Sequence, residues 1–316
     1  MKPLHRLIPT STLALGLTLA LTQVSLANTL ESCGGSFTFD AAPERAITLN
    51  QQATEVMLAL GLEERMVGTA YMDDEIPEQW RDAYDQIPVL AERYPAAEVV
   101  LSADPDFLFA GFASAFSPDN LGSESDWHDL GVGTYIVDAS CSDWHAADEP
   151  KTTASIYNDL REVGRVFEVS DRAESLIEDI EQRLAAATEG QPGNNRSVFV
   201  YDSNLDSPFS VGCCGGPALL MNLVGLESIS AGEEGNWATL SWEFVVENDP
   251  ELIVLIEADW STADEKRRHM ESDPVLSELT AVQEGNYLVI PFSETLLGMR
   301  FVDGVERLAA ELEALD

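Results

Sequence analysis

The four cysteines are the residues whose spacing points most directly to chemistry, namely the formation of disulfides. Four cysteines allow three different sets of pairings. We favour a disulfide between Cys33 and Cys141, because both belong to the first half of the chain. Cys213 and Cys214 are adjacent and flanked by glycines, so they could form a vicinal disulfide or remain two free thiols. Disulfides are expected if the protein is exported to an oxidising compartment.

Metal binding and catalysis have little support in this sequence. Zinc sites usually combine ligands at short spacing with histidine, and only His128, His145 and His269 follow the N-terminal segment. The sequence contains no Gly-x-Ser-x-Gly elbow, P-loop, HExxH motif or dinucleotide-binding fingerprint. Ser210 and Ser241 have no obvious histidine partner. We therefore predict a protein that is not an enzyme, with no catalytic residues, no metal site and no cofactor of its own.

The N-terminal segment has the pattern of a secretory signal. Basic side chains precede an apolar run over residues 13–21, which is too short to span a bilayer. Small residues then lead up to Ala27, where we expect cleavage, so residues 1–27 are predicted to be a signal peptide. Lipidation of Cys33 is not expected, because a glutamate lies where a lipoprotein signal needs small residues. The predicted location is the periplasm, without direct insertion into the membrane.

The charge of the chain limits its partners. The sequence has 17 basic and 56 acidic side chains, and its formal net charge is −39. Such a chain will not bind nucleic acid or an anionic membrane surface without specificity. The acids are dispersed, which favours a solvated surface over a field for cationic ligands. With 316 residues, of which 45% are hydrophobic, the chain can form one large or two ordinary domains.

Buried strands alternate with helices along the chain. Helical patterns cover residues 53–60 and 275–282, among others. Alternation of this kind is typical of an α/β protein with parallel sheets. Short apolar runs that predict the strands cover residues 46–49, 107–111, 134–137, 198–201, 252–256 and 287–290.

Two sequence phrases recur in the same order in both halves of the chain. MLALGLE at residues 57–63 is matched by MNLVGLE at residues 221–227. Glu98 is followed six residues later by Asp-Pro and an apolar run, and the same phrase follows Glu243. In each case a helix should end before the proline and a strand should begin after it. Two echoes in the same order indicate two similar α/β lobes.

A long helical pattern connects the two halves. Residues 153–187 carry an apolar stripe of helical period, with a break and a new N-cap near Ser170. We predict an N-terminal lobe over residues 28–150, a helical connector over 151–190 and a C-terminal lobe over 191–316. A helical connector is stiffer than a flexible linker, so hinge motion should be limited.

Three segments resemble a known family: PERAITLNQQATEVMLALGLEERMVGTAY, LSADPDFLFAG and WATLSWEFVVENDPELIVL. In order and spacing they are similar to the periplasmic substrate-binding proteins of iron-siderophore, haem and cobalamin ABC importers. The resemblance covers essentially the whole chain after the signal. It implies two Rossmann-like lobes joined by a long helix, with a ligand cleft between them. The Cys-Cys-Gly element and the opening TLNQQATEVMLALGL resemble a branch assigned to a deazaflavin cofactor precursor.

The resemblance implies a role in transport. The protein would be a monomer that captures an iron-siderophore or corrinoid-like ligand, which can itself be a metal complex, and delivers it to a permease dimer. A deazaflavin precursor or haem is the alternative ligand, and haem is disfavoured because no axial ligand is evident. A free-metal-binding protein and a secreted enzyme are alternatives from other classes. The family docks on its permease through one glutamate on each lobe, which corresponds here to Glu98 and Glu243. Two such carboxylates can pair with arginines of a two-fold symmetric partner, although either could be an ordinary solvated acid.

The ligand is expected at the carboxyl ends of the strands, in the loops that follow them. Tyr71 and Trp237 match positions where the family places aromatic walls, although core packing is the commoner fate of such side chains. Arg300 could grip an anionic group of the ligand, or it could pair with Asp303 or Glu306 instead. Arg93 and Tyr94 are weaker candidates. The predicted ligand-binding residues are Asn50, Gln51, Tyr71, Phe112, Ser114, Phe209, Cys213, Cys214, Trp237 and Arg300.

Overall fold

The computed structural model describes residues 28–141 and 149–315. The predicted signal peptide and His145 lie outside these residues. Within the described part of the chain, none of the helices combines the length and apolar character needed to cross a membrane.

The N-terminal lobe, which we define as residues 28–141, is built on a five-stranded parallel sheet with the strand order β5-β4-β3-β6-β7. An antiparallel hairpin, β1 with β2, precedes it. Its strands are β1 (Asn28–Ser32), β2 (Gly35–Phe39), β3 (Ala46–Leu49), β4 (Met66–Ala70), β5 (Val89–Ala91), β6 (Phe107–Ala110) and β7 (Gly133–Ile136). Its helices are α1 (Gln51–Ala59), α2 (Glu78–Tyr84), α3 (Ala97–Ser102) and α4 (Glu124–Asp129).

Buried polar contacts fix α1 to this sheet. The hydroxyls of Thr48 on β3, Thr54 on α1 and Thr69 on β4 form a closed set of hydrogen bonds of 2.8–3.0 Å. All three side chains are buried, so their hydroxyls satisfy one another where water cannot reach them. The first turn of α1 is thereby held at the carboxyl ends of β3 and β4, where a ligand would be expected.

The C-terminal lobe, which we define as residues 191–315, is built on a four-stranded parallel sheet with the order β10-β8-β12-β13. A separate antiparallel pair, β9 with β11, lies beside it. Its strands are β8 (Ser197–Tyr201), β9 (Phe209–Val211), β10 (Glu227–Ser228), β11 (Trp237–Thr239), β12 (Leu252–Glu257) and β13 (Tyr287–Pro291). Its helices are α7 (Gly216–Leu223), α8 (Trp242–Asn248), α9 (Ala263–Ser272), α10 (Thr280–Glu284), α11 (Phe292–Thr295) and α12 (Phe301–Leu315).

The first sequence echo is one structural motif used twice. At the end of α1, the amide of Leu62 donates to the carbonyl of Met57, and Gly61 has φ +61°. At the end of α7, the amide of Leu226 donates to the carbonyl of Met221, and Gly225 has φ +78°. Both are six-to-one bonds of the Schellman type, which close a helix on a left-handed residue that glycine adopts at low cost.

The second echo is also a repeated structure. α3 and α8 end before Asp104 and Asp249, which both have positive φ, and a buried strand follows each after a proline. Asp106 then accepts from the backbone amide of Arg45, and Glu251 accepts from that of Ser197. In each lobe an acid at the start of one strand thus aligns the start of its neighbour.

The connector consists of two helices rather than one continuous helix. α5 (Ala154–Val166) packs against β1 of the N-terminal lobe and against α6 (Ser170–Ala187), which packs on α12 of the C-terminal lobe. The chain breaks at Glu168, whose φ is +61°. The second helix begins at Ser170 with Val169 at the cap, in agreement with the break and N-cap predicted near Ser170.

The single helix predicted over residues 275–282 is wrong. A 3-10 turn at Leu276–Glu278 is followed by α10, and Leu279 separates them in an extended conformation. Two side-chain carboxylates accept hydrogen bonds from backbone amides here. Asp273 accepts from the amide of Leu276, and Asp249 accepts from the amide of Thr280. These contacts act as caps and begin a new helix inside an apolar pattern that otherwise suits one.

Both cysteine pairs are disulfides in the described chain. The bond between Cys33 and Cys141 joins the turn of the β1–β2 hairpin to the segment after β7, and it is the pairing that the sequence favoured. Cys213 and Cys214 form a vicinal disulfide, which was one of the two states left open for them. The vicinal pair lies between β9 and α7.

Candidate functional site

Two adjoining cavities lie between the lobes. The first, which we call the apolar cavity, has a volume of 340 Å³ and is lined by Val137 of the N-terminal lobe and Leu297 of the C-terminal lobe, among others. The second, the aromatic cavity, has a volume of 330 Å³. Both volumes fall in the range of small-molecule pockets. The two cavities share wall residues from both lobes: Phe112, Ser114 and Trp237.

An aromatic wall runs along the C-terminal side of the aromatic cavity. The ring of Trp237 stacks on Phe209 with centroids 5.5 Å apart and planes at 13°, and on Phe292 at 6.5 Å and 24°. Trp260 meets Phe292 edge to face at 4.9 Å. Such a wall offers a large, rigid contact surface to a flat ligand.

The strand pair β9–β11 explains why Phe209 and Trp237 meet. In its register Phe209 lies opposite Thr239 and Val211 lies opposite Trp237. Phe209 and Trp237 are therefore diagonal neighbours on the same face, within reach of each other's rings. This two-stranded ribbon presents the aromatic wall to the cleft.

The N-terminal side of the aromatic cavity carries tyrosines and an arginine. Tyr71 and Tyr94 meet edge to face at 4.8 Å, and the guanidinium of Arg93 lies 4.7 Å above the Tyr71 ring. The Tyr94 hydroxyl donates to Asn50 Oδ1 at 3.0 Å and lies 3.0 Å from the hydroxyl of Ser114. Asn50 therefore acts on the cavity through Tyr94, because it does not line the cavity itself.

Two buried carboxyl groups face the aromatic cavity. Burial, and the nearby charge of Asp74, raise the pKa of Asp73 to about 6, against a smaller opposite effect of Arg93. Burial also raises the pKa of Asp202, which accepts a 2.7 Å hydrogen bond from Ser203. At neutral pH Asp73 is mostly ionised, so the cavity presents negative charge beside aromatic rings.

Lys266 supports Asp202 from behind the cavity. It is completely buried, and its ammonium donates to the backbone carbonyls of Asp202 and Ile256. Burial lowers the pKa of Lys266 to about 8, although nearby acids, Asp202 foremost, favour its charged form. These bonds fix the loop after β8 to the end of β12. The Lys266 ammonium is thus already hydrogen-bonded to groups of the protein itself.

Arg300 lies at a polar contact between the lobes. Its guanidinium is 3.5 Å from Glu294, 3.9 Å from Glu55 and 3.9 Å from Asp74, and its side chain is 12% exposed. Asp74 also accepts from the backbone amide of Ser293 at 2.9 Å. We call these five residues the interlobe cluster. Burial raises the pKa of Glu55 to about 8, and the attraction of Arg300 only partly opposes this.

The whole chain was compared with known proteins. A family model described as periplasmic binding protein matches residues 47–294. The chain belongs to the periplasmic binding protein family. The match spans most of both lobes, and it confirms the family resemblance and the α/β fold class with parallel sheets.

Relatives of this periplasmic binding protein include transport proteins. An uncharacterised ABC transporter substrate-binding lipoprotein, YvrC of Bacillus subtilis, is 23% identical over 281 residues, which cover 87% of this chain and 82% of the relative. A solved periplasmic binding protein from Veillonella parvula is 28% identical with a TM-score of 0.80, covering 90% of this chain and 97% of the other. A structure described as an ABC-type Fe3+-hydroxamate transport system, from Saccharomonospora viridis, is 25% identical with a TM-score of 0.74, covering 90% and 98%.

In this periplasmic binding protein, half of the predicted ligand-binding residues line the cavities. These are Tyr71, Phe112, Ser114, Phe209 and Trp237. Their binding roles stay predictions. The sequence also placed Trp237 in a loop, whereas it begins strand β11.

The other five predicted residues are not among those that line the two cavities. Gln51 is buried, donates to Glu55 at 2.6 Å and accepts from the backbone amide of Asp73. Cys213 and Cys214 directly precede Gly215, which does line the apolar cavity. Those that do not line either cavity are Asn50, Gln51, Cys213, Cys214 and Arg300. The alternative pairing of Arg300 with Asp303 or Glu306 is wrong, because these two acids pair with Arg183. Its role in ligand binding stays a prediction.

Several cavity residues were missed by sequence reasoning. Asp202 directly follows the strand predicted at residues 198–201, and Trp260 lies in the loop after β12. Both positions obey the same rule that identified the other loops, so the signal was present and was not used. Lys151 and Asn236 reach the apolar cavity only through tertiary packing.

Glu98 and Glu243 lie outside the cavities, at equivalent places in the two lobes. Each is exposed, and each is the second residue of a short helix, α3 or α8. Among the residues that the structure describes, neither the Glu98 nor the Glu243 carboxylate has an ion-pair partner. Their side chains are therefore available to a partner molecule.

Proposed function

We propose that this periplasmic binding protein is the extracytoplasmic substrate-binding component of an ABC importer. It captures a small molecule in the cleft and delivers it to a permease dimer. The observation that carries this proposal is that both cavities take their walls from both lobes, so a bound ligand would bridge them. The Bacillus relative is described as an ABC transporter substrate-binding lipoprotein, which supports the same role. The protein acts as a soluble periplasmic monomer after cleavage of residues 1–27.

An iron-siderophore or corrinoid-like ligand is the one that the sequence resemblance implies. The Saccharomonospora structure, described as part of a Fe3+-hydroxamate system, supports an iron chelate. The stacked wall of Phe209, Trp237 and Phe292 favours instead a ligand with a flat conjugated face, such as haem or a deazaflavin cofactor precursor. Neither described histidine, His128 or His269, lines either cavity, which makes haem the weaker of these two.

Docking on the permease is assigned to Glu98 and Glu243. They occupy equivalent places in a two-fold structural repeat, and exposed carboxylates can form bidentate pairs with arginines of a symmetric partner. The α3 and α8 helices that carry them are braced by the strands that follow, so the separation of the two carboxylates is set by the lobes.

A transport experiment tests both parts of this proposal. The small molecule that co-purifies with the protein from native periplasm is first identified by mass spectrometry. Uptake of that molecule is then measured in vesicles containing the permease. Glu98→Arg and Glu243→Arg should leave its affinity unchanged and abolish uptake, because a reversed charge repels the docking arginines. Glu178→Arg, an exposed charge reversal on α6, should retain uptake. Normal uptake with both lobe variants would show that docking uses other residues.

A further inference from the structure

Three acceptor atoms on residues of the cavity walls have no hydrogen-bond partner among the described residues. They are Asp73 Oδ2, on a residue that lines the aromatic cavity, and Gln52 Oε1 and Asn236 Oδ1, on residues that line the apolar cavity. Asp73 is 9% exposed and Gln52 is 4% exposed. A buried acceptor left without a donor is unfavourable. Rotation of one of these side chains toward its cavity would let a ligand donor pair with it.

Three hydroxyl groups of the aromatic cavity, those of Tyr94, Ser114 and Ser203, are hydrogen-bonded within the protein. The Tyr94 hydroxyl donates to Asn50, so the Ser114 hydroxyl can donate to Tyr94. The Ser203 hydroxyl donates to Asp202. Their protons are thus used within the protein, while Asp73 and Asp202 face the cavity as acceptors. The aromatic cavity therefore combines stacked rings with two carboxylates and with one cation, the guanidinium of Arg93 over the Tyr71 ring.

We infer that the ligand's flat part is an amino-bearing or cationic heteroaromatic ring, whose N–H donors are selected by Asp73 and Asp202. The inference rests on the proposed function, since it takes the cleft as the ligand site. The ring stacks on Trp237 and Phe209, and its donors form charge-assisted hydrogen bonds to the carboxylates. A site built to accept hydrogen bonds rejects flat molecules that lack donors, because its buried acceptors would stay unpaired.

Two flat probes of similar size test this inference in the intact protein. Proflavine is a tricyclic cation with two amino donors, and anthracenecarboxylate is a tricyclic anion without them. Proflavine should bind saturably and at least about tenfold more tightly, as followed by fluorescence titration. Asp73→Asn and Asp202→Asn should each weaken proflavine by about fivefold or more. Asp129→Asn, which removes an exposed carboxylate of α4, should not. Melting curves confirm that each variant is folded.

A further variant separates failure of the inference from failure of the site. Trp237→Leu removes the stacking surface without changing the charge of the cavity. If Trp237→Leu does not fold, Phe209→Leu is used in its place. If these weaken proflavine while Asp73→Asn and Asp202→Asn do not, the cleft is the ligand site and the inference is wrong. If none of the four changes the affinity, proflavine binds elsewhere and the cleft assignment falls too. Absence of saturable proflavine binding, or equal affinity for both probes, also overturns the inference.

Discussion

At the scale of single residues, the acidic side chains around Arg300 determine what its guanidinium does in the folded protein. Its guanidinium lies among Glu55, Asp74 and Glu294 with little access to water. Arg307 also pairs with Glu294 at 2.7–2.8 Å, so the interlobe cluster continues onto α12. Because burial keeps Glu55 protonated at neutral pH, the cluster is closer to charge balance than its number of acids suggests. Its main effect is to hold two lobes together.

We predict that Arg300→Ala destabilises the protein and leaves the affinity for the co-purified ligand unchanged. Removing one partner from a buried ionic cluster leaves the others uncompensated, at a cost of about 3 kcal/mol. Urea denaturation should show this as a lower midpoint. Arg161→Ala is the control, because its pair with Glu174 is about half exposed on both sides and should cost less than about 1 kcal/mol. Lost ligand affinity at unchanged stability would instead restore Arg300 as a ligand-binding residue.

At the scale of elements, the two lobes repeat their helix ends. The Schellman bonds after α1 and α7 both depend on a glycine with positive φ, and both direct the chain into the next strand. A Cβ added at Gly225 would lie 2.9 Å from the Cβ of Gln191. At Gly61 it would meet the flexible end of Arg172. The two sites therefore share a backbone requirement and differ in how easily the neighbour can move.

We expect Gly61→Ala and Gly225→Ala each to destabilise the protein by about 1–2 kcal/mol, because an L-residue is strained in the left-handed region. Gly225→Ala should be the more costly, since its neighbour is fixed. Gly232→Ala is the control, as its Cβ would meet nothing within 4 Å and its φ is not positive. Differential scanning calorimetry measures all three. Equal stability of the three variants would contradict the capping role.

At the scale of the whole molecule, the lobes are joined by more than the connector. α5 packs against the N-terminal lobe and α6 against α12, and the two helices also pack against each other. The interlobe cluster adds a second contact, where Ser293 and Arg300 of the C-terminal lobe meet Asp74 of the N-terminal lobe. Two separate links restrict the relative motion of the lobes more than one flexible hinge would.

We therefore predict that ligand binding closes the cleft only slightly. Small-angle X-ray scattering of the free and ligand-saturated protein should give nearly the same radius of gyration. Arg300→Ala provides the comparison, because loss of the interlobe cluster should increase the difference between the free and bound forms. A large contraction of the unaltered protein on binding would show that the connector bends freely.

The candidate site could be predicted only in part. The rule that ligands bind after parallel strands identified Tyr71, Phe112 and Phe209, because a buried strand and its end can be seen in local sequence. The same rule applied after every strand would have added Asp202 and Trp260. It could not show that Arg300 faces acids of the other lobe, since those partners lie more than 200 residues away along the chain.

The sequence by itself determined six of the thirteen strands in the described residues, the repeat and the family. Apolar runs mark buried strands wherever they occur, and two echoes of one phrase encode the same helix ends in both lobes. Only the tertiary structure decided which side chains line the cleft and which form hydrogen bonds or ion pairs with other residues of the protein. The physical reason is that partners distant in sequence decide whether a charged or aromatic side chain is available to a ligand or is already paired within the protein. The predicted helix over residues 275–282 failed for the same reason, because Asp249 caps it from another element.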